Sequence, residues 1–163
     1  MIHLAIPGRS DLVLHHLVSD LNGTLALDGA LVAGVAERMA RIRAMLGIHI
    51  LTAGTHGGLE RAQTELAEAC AAAGAPTPRW ERVVTGADKA RYVAALGAAE
   101  VVALGNGAND ALMFGIAGLS IAVLGREGAH GSAVSSAQIV TTSPLDALDL
   151  LLHPQRLVAT LRP

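Results

Sequence analysis

Short apolar segments alternate with helical segments along most of this chain, and this alternation limits the folds that it can adopt. Residues 101–104, Val-Val-Ala-Leu, are apolar at every position, which is typical of a strand buried on both faces. Helices between such strands serve as crossover connections, so the strands run parallel and the helices cover the sheet. The sequence therefore predicts an α/β fold in three layers (α/β/α), with a mostly parallel sheet in the middle.

The positions of the elements follow from apolar periodicity, turn residues and helix-ending glycines. Strands at 2–6 and 12–18 flank the turn at 7–10 and predict an N-terminal β-hairpin. Further strands are predicted at 48–52, 82–85, 100–104, 120–124 and 138–141, and helices at 32–46, 59–73, 87–96, 109–117, 132–137 and 144–161, the last kinked near Pro154. The length fits one core, so a single domain spanning 1–163 is expected.

Composition excludes several classes of function. The net charge is −2 and no basic cluster occurs, so we expect binding neither to nucleic acid nor to anionic membranes. No apolar segment reaches the roughly 20 residues of a membrane-spanning helix, and the N-terminus lacks the pattern of a signal peptide. Cys70 is the only cysteine, which is typical of a reducing compartment. We therefore expect a soluble, cytoplasmic protein.

Residues suited to chemistry occur where the predicted strands end. Ligands of open parallel sheets bind beyond the carboxyl ends of the strands. Asp20 follows the first long strand, Thr52 ends the next, and Asn106 and Asp110 follow the strand at 100–104. Lys89 begins a helix and is the only lysine among the 12 lysine and arginine residues. A compact ammonium suits a tight site in which a planar guanidinium would not fit.

An aspartate, a hydroxyl, an ammonium and an acidic loop are together suited to phosphoryl transfer. The carboxylate of Asp20 can attack phosphorus and form an aspartyl-phosphate. The incoming dianion needs a cation, Lys89 and hydrogen-bond donors to balance its charge. Mg²⁺ usually takes one or two protein carboxylates with phosphate oxygens, which Asp20 and Asp110 can provide. The expected substrate is a small-molecule phosphate ester.

The order of these motifs resembles the haloacid dehalogenase (HAD) superfamily. The matching segments are residues 20–24 (Asp-Leu-Asn-Gly-Thr), Thr52, Lys89 and residues 105–110 (Gly-Asn-Gly-Ala-Asn-Asp). They look most like the small phosphatases related to the phosphorylation domain of P-type ATPases. The resemblance implies a Rossmann-like core without a cap domain, Asp20 as the nucleophile and Mg²⁺ as the cofactor. It implies metal contacts by Asp20, Asn22, Asn106 and Asp110, and phosphate contacts by Gly23, Thr52, Ala53, Lys89 and Asn109.

Two asparagines depart from the pattern of that superfamily. Asn22 stands where its phosphatases carry a second aspartate as general acid and base, and an amide cannot transfer a proton. Because general acid–base help contributes about 10²–10⁴-fold, we expect slow hydrolysis. Asn106 stands where a metal-binding aspartate is usual, and its amide brings no charge. His56 is a candidate substitute for the missing acid, the alternative being an exposed loop histidine.

Alternatives to a phosphatase remain open. The two asparagines also fit a catalytically silent binding or regulatory domain that keeps the pocket. A phospho-receiver domain also carries a phosphorylated aspartate, although its acceptor normally follows a later strand. Asp20 and Asn22 alone would be read as turn residues, and Asp110 as an acid in the first turn of a helix. An uncapped site is open to water unless another subunit covers it, so a homo-oligomer is also a hypothesis.

Overall fold

The computed structural model describes residues 1–54 and 58–163. In chain order the strands are β1 (Ile2–Leu4), β2 (Leu12–Leu14), β3 (His16–Asp20), β4 (Ala26–Leu27), β5 (Ala30–Leu31), β6 (Gly47–Thr52), β7 (Arg79–Arg82), β8 (Val101–Gly105), β9 (Leu119–Val123) and β10 (Ile139–Thr141). Six of them form a central sheet in the order β10-β9-β8-β3-β6-β7, with every neighbouring pair parallel. The predicted α/β fold with a parallel sheet is confirmed.

Helices cover both faces of this sheet. They are α1 (Val35–Arg43), α2 (Leu59–Ala72), α3 (Gly86–Ala95), α4 (Ala111–Phe114), α5 (Gly131–Ser136), α6 (Pro144–Leu152) and α7 (Pro154–Leu161), with 3₁₀ turns at Ala98–Glu100 and Ala108–Asp110. Leu17 and Val18, adjacent in β3, belong to separate apolar clusters. The first cluster includes α1, α2, α6 and α7, and the second includes α3, α4 and α5. The three-layer prediction is therefore confirmed.

The predicted strand at 12–18 is wrong in one respect, because it consists of two strands in different sheets. β2 pairs antiparallel with β1 in the N-terminal hairpin, whereas β3 pairs parallel with β6 and β8. The change of partners occurs at His15, whose N–H donates to the carbonyl of Glu100 and whose carbonyl accepts from the N–H of Gly47. β3 is thereby inserted into the middle of the sheet and carries Asp20 at its end.

Two further strand predictions need correction. The strand predicted at 82–85 is β7 (Arg79–Arg82), an edge strand whose charged side chains give little apolar signal, while Val83 and Val84 follow it. The loop expected near Asp28 contains the small hairpin of β4 and β5. Asp28 and Gly29 have φ values of 51° and 79°, as the two central residues of a type I′ turn require.

The helix predictions differ at three places. The helix predicted at 144–161 with a kink near Pro154 is two helices, α6 (Pro144–Leu152) and α7 (Pro154–Leu161), because Pro154 has no N–H to donate and keeps His153 out of helical geometry. α1 begins at Val35 rather than at residue 32, because the N–H of Val32 donates to Leu25 and holds the chain against the hairpin. The helix predicted at 109–117 is a 3₁₀ turn followed by the four-residue α4. Between β3 and α1 the structure holds only the β4–β5 hairpin, in agreement with the absence of a cap in that segment.

Across the described residues, none of the helices combines the length and the apolar character that crossing a membrane requires.

Candidate active site

The carboxyl ends of three adjacent strands carry the central site residues. Asp20 ends β3 and is in register with Leu51, so Thr52 ends the neighbouring β6 beside it. β8 lies on the other side of β3 and leads into the loop that contains Asp110. Lys89 lies in α3, which packs on the same face as α4. The structure thus brings Asp20, Lys89 and Asp110 together at one edge of the sheet.

Lys89 bridges the two carboxylates. Its Nζ donates a hydrogen bond of 2.6 Å to Oδ1 of Asp20 and another of 2.6 Å to Oδ1 of Asp110. The side chain of Lys89 is 2% exposed, that of Asp110 is fully buried and that of Asp20 is 15% exposed. An ammonium has three N–H donors, so one remains for a further acceptor. Asp20 is the member of this triad that solvent reaches.

Burial and the charge of the neighbouring groups shift the pKa values of Asp20 and Lys89 in opposite directions. Burial raises the pKa of Asp20 to about 6, against the lowering effect of Lys89, and the charge of Asp110 adds to the rise. Burial lowers the pKa of Lys89, but the carboxylates of Asp20 and Asp110 outweigh it, and the net shift is upward. Lys89 is therefore a permanent cation in this site.

Asp110 is held by the backbone of its own loop. Its Oδ2 accepts hydrogen bonds from the N–H groups of Asn106 (2.9 Å) and Gly107 (2.8 Å), while Oδ1 faces Lys89. A Cβ atom on Gly105 would lie 2.3 Å from that Oδ2. Only glycine at position 105 lets the carboxylate approach the end of β8 so closely, which fixes the position of Asp110 and, through it, that of Lys89.

Asn106 joins three loops with its side-chain amide. Its Oδ1 accepts from the hydroxyl of Thr24 (3.1 Å), and its Nδ2 donates to the carbonyl of Gly128 (3.2 Å). Gly23 lies against the same amide, since a Cβ there would be 2.4 Å from Nδ2. Thr24 was part of the predicted motif, but its role in holding Asn106 had no signal in the sequence, because the two residues are 82 positions apart.

Glu127 is a neighbour of the site that the sequence did not indicate. A Cβ on Gly23 would lie 2.9 Å from its Oε2, and its Oε1 accepts a hydrogen bond of 3.4 Å from the N–H of Asp28. The side chain is exposed and reaches back across the chain to the hairpin of β4 and β5. It adds a carboxylate at the rim, on the side of Gly23.

The other predicted residues lie around the triad. Thr52 is buried, and its Oγ1 accepts from the N–H of Gly54 (3.1 Å), which leaves its O–H able to donate. Asn22 and Ala53 are half-buried and Asn109 is exposed. Within residues 1–54 and 58–163, no hydrogen bond joins the side chains of Asn22 or Asn109 to another residue. His56 lies outside the described residues.

The donor set determines which cation the site could hold. Among the described residues, no three or more His, Cys, Asp and Glu side chains converge as a metal cluster. Asp20 and Asp110 supply two carboxylates, and no backbone hydrogen bond of the described loops ends on the carbonyl of Asn22. Mg²⁺ takes one or two carboxylates and fills its other positions with water and phosphate oxygens. The residues therefore fit a Mg²⁺ ion shared with a phosphate group, rather than one enclosed by protein ligands.

No protein-family profile matches the chain. An uncharacterized protein of Methanocaldococcus jannaschii is 48% identical over 63 residues, which are 39% of this chain and 68% of that protein. The chain belongs to the same family as this archaeal protein.

Solved structures match over most of the chain. One is described as a HAD superfamily (subfamily III A) hydrolase from Legionella pneumophila, with a TM-score of 0.63, 16% identity, and coverage of 91% of this chain and 87% of that one. Another is 3-deoxy-D-manno-octulosonate 8-phosphate phosphatase from Moraxella catarrhalis, in complex with magnesium, phosphate and a KDO molecule, with a TM-score of 0.61, 15% identity, and coverage of 91% and 94%. The catalytic domain of the CPx-ATPase CopB-B matches with a TM-score of 0.50 and 18% identity, over 82% of this chain and 46% of that one.

Proposed function

Because the chain has the fold of the HAD superfamily hydrolases, we propose that it is a Mg²⁺-dependent phosphohydrolase that works through an aspartyl-phosphate at Asp20. The observation that carries the proposal is the contact of Lys89 with both Asp20 and Asp110, at 2.6 Å each, at the carboxyl edge of the sheet. Structural relatives include a phosphatase bound to magnesium and phosphate. The fold and this triad together favour phosphoryl transfer over other chemistry at the same edge.

The reaction has two displacements at phosphorus. In the first, a carboxylate oxygen of Asp20 forms a bond to phosphorus, the bond from phosphorus to the ester oxygen breaks, and the alcohol leaves with a proton from solvent. In the second, water attacks phosphorus, the bond to Asp20 breaks, and inorganic phosphate is released. A bound Mg²⁺ would neutralise charge on the phosphoryl oxygens, held by Asp20, the carbonyl of Asn22 and Asp110.

Lys89 and Thr52 act on the phosphoryl group. Two N–H groups of Lys89 hold Asp20 and Asp110, and the third has no acceptor among residues 1–54 and 58–163, so it can donate to a phosphoryl oxygen. The hydroxyl of Thr52 and the N–H groups of Ala53 and Asn109 are the further candidate donors, whereas the N–H of Gly23 already donates to the carbonyl of Ala26 (2.8 Å). Such donors, placed before the substrate arrives, stabilise charge that develops in the transition state. Besides its candidate place beside the metal, Asp110 positions Lys89 through their hydrogen bond of 2.6 Å.

Asn22 makes the proposed reaction slow. Its amide cannot donate a proton to the leaving alcohol or take one from the attacking water, so solvent must do both. An Asn22→Asp change would supply the missing group, and general acid–base help contributes about 10²–10⁴-fold. We therefore expect this substitution to raise kcat by at least about tenfold, with the largest gain for substrates whose alcohols leave poorly.

The cavities beside the site favour a small substrate. One of about 190 Å³ opens next to Thr52 and is lined also by Gln63, Trp80 and Arg82. Another of about 120 Å³ lies beside Gly23 and Thr24. A group esterified to the phosphate would find an aromatic ring, an amide, a guanidinium and the carboxylate of Glu81 in the first cavity. These contacts support a small polar phosphate monoester as the substrate class.

The decisive experiment measures hydrolysis of para-nitrophenyl phosphate with Mg²⁺ and with EDTA. We expect Mg²⁺-dependent turnover in the wild type and its loss in Asp20→Asn. The matched control is Asp11→Asn, which removes an exposed carboxylate that pairs with His3 on the N-terminal hairpin, and it should keep wild-type turnover. Turnover that survives in Asp20→Asn would remove Asp20 as the nucleophile.

A catalytically silent binding domain is the second candidate. It is favoured by Asn106, whose amide oxygen and nitrogen are both engaged in holding neighbouring loops. The two functions differ in their response to Asn22→Asp. A gain in turnover supports the slow hydrolase, whereas phosphate binding without turnover in both proteins supports the silent domain.

A further inference from the structure

A second polar cleft lies at the opposite end of the sheet from the triad. It has a volume of about 500 Å³ and lies at the amino ends of β3, β6 and β7, lined by His16, Arg43, Gly47, His49, Arg79 and their neighbours. Of the described residues that line it, none is acidic. Two guanidinium groups and two imidazoles thus share one concave surface, in a chain whose net charge is negative.

Arg43 carries an unsatisfied donor in this cleft. One of its terminal nitrogens donates to the carbonyl of Leu46 (3.2 Å), but its Nε is buried without a hydrogen-bond partner in the part of the chain that the structure describes. A buried donor without a partner costs free energy, and more when the group is charged.

The two histidines form a hydrogen-bonded chain that ends at this surface. Nδ1 of His16 lies 3.1 Å from Nε2 of His49, and Nδ1 of His49 lies 2.9 Å from the hydroxyl of Tyr92. His49 is 6% exposed, and burial together with the charges of His16, Arg79 and Arg43 lowers its pKa to about 4. Burial is the largest cause of this shift, and the positive charges of Arg79 and Arg43 add to it in the direction that also attracts an anion.

Gly47 keeps the floor of the cleft open. A Cβ atom there would lie 3.0 Å from Nδ1 of His16 and 3.5 Å from Nε2 of His49. Its φ is not in the left-handed region, so an alanine at this position changes the space beside the two imidazoles without straining the backbone. The absence of a side chain therefore exposes the histidine pair to the cleft.

We propose that this cleft binds a phosphate dianion, free or as the terminal group of a small molecule, through Arg43, Arg79 and Nε2 of His16, because both ring nitrogens of His49 are engaged with His16 and Tyr92. Several donors from separate directions suit a tetrahedral oxyanion, and charge-assisted hydrogen bonds from guanidinium groups are the strongest available. The site is independent of the proposed hydrolysis, because no residue of the triad contributes to it.

The test is a titration of the histidine ring resonances by NMR, with inorganic phosphate and with methylphosphonate, in EDTA and at constant ionic strength. Methylphosphonate has no ester bond, so its signal cannot come from turnover. We expect saturable shifts at His16 and His49 and a rise of the His49 pKa on binding. Glu100 and His15 also act on His16, and Glu81 acts on Tyr92, so the same titration in sodium chloride defines the shift caused by ions alone.

Three variants test whether the shifts arise from binding in this cleft. Arg43→Gln should weaken binding about tenfold or more, as the loss of a hydrogen bond to a charged group predicts. Arg79 is exposed, so Arg79→Gln should fold even if Arg43→Gln does not, and it should also weaken phosphate binding. Gly47→Ala should abolish the saturable shift, whereas Gly115→Ala, with no atom closer than 3.7 Å to its Cβ, should leave it unchanged.

Two results would overturn the proposal. One is a shift that grows linearly and equally with phosphate and chloride, because it would show screening rather than binding. The other is loss of the saturable shift in Asp20→Asn, because the histidines would then report on the triad. Neither result depends on whether para-nitrophenyl phosphate is hydrolysed.

Discussion

Lys89→Met removes the ammonium that lies between two buried carboxylates while it keeps most of the side-chain volume. Lys89 is 2% exposed, and its Nζ lies 2.6 Å from an oxygen of Asp20 and of Asp110. Loss of one partner from a buried ion pair costs about 3–5 kcal/mol. We expect the free energy of unfolding of the metal-free protein at pH 8 to fall by that amount. For a chain of this length the corresponding drop in Tm is roughly 6–20 °C.

The cost should depend on pH in a definite direction. The pKa of Asp20 is raised to about 6 in the folded wild type. The contribution of Asp20 to the free energy of unfolding therefore falls as pH rises from its pKa in the unfolded chain towards 6. Without Lys89 the folded pKa of Asp20 rises further, and the loss continues above pH 6. Below that pH Asp20 is largely protonated in both proteins. The difference in stability between them should therefore grow as pH rises from 6 to 8.

Urea denaturation followed by circular dichroism, in EDTA at pH 5, 6, 7 and 8, measures this difference. Arg91→Met is the matched control, because Arg91 lies on the same helix, is 77% exposed and pairs with Asp88 at the surface. Its unfolding midpoint should stay within error of the wild type. A Lys89→Met protein that is as stable as Arg91→Met at pH 8, or whose deficit is larger at pH 5 than at pH 8, would refute the expected role of the ammonium.

Three further outcomes follow from the geometry. Gly105→Ala places a Cβ 2.3 Å from Oδ2 of Asp110, so turnover and Tm should both fall, with a cost of about 1–3 kcal/mol, whereas Gly115→Ala should change neither. Asp149→Asn breaks a two-pronged bond with Arg38 that lowers the pKa of Asp149, so its urea midpoint should be lower than the wild type at pH 7, and the difference should vanish as pH falls through the lowered pKa of Asp149 in the folded protein. Mg²⁺ at 100 times its Kd should stabilise the wild type by about 2.7 kcal/mol, with EDTA reversing the gain, and a variant without the carboxylate at the end of β3 should show no shift.

The arrangement of the sheet could be predicted because strands buried on both faces are apolar throughout. Residues 101–104 show this pattern, and they form most of β8, an inner strand of the sheet. The edge strand β7 lacks this pattern, because three of its four residues, Arg79, Glu81 and Arg82, are charged. The predicted strand was therefore placed over Val83 and Val84, which follow β7. The break between β2 and β3 at His15 could not be predicted for another reason. It depends on hydrogen bonds with Glu100, just before β8, and with Gly47, at the start of β6, which are distant in sequence.

The residues of the candidate site could be predicted from the sequence, whereas most of their hydrogen bonds could not. Strand ends and one unusual lysine led to Asp20, Thr52, Lys89 and Asp110, and the first, third and fourth lie in direct contact in the structure. The bonds of Asn106 could not be predicted, because they depend on Thr24 and on the turn at Gly128, which only the folded chain brings together. Local residue type indicates which groups are present, but their partners are set by tertiary packing.

The amide of Asn106 limits how this protein can be re-engineered. An aspartate at that position would set an anionic oxygen against the carbonyl of Gly128, where a nitrogen now donates. A designer who wants a third acid near the cation must therefore rebuild the turn at 125–128 at the same time. Natural homologues that carry an acid at position 106 should differ in that turn, so the two segments are expected to change as a pair during evolution.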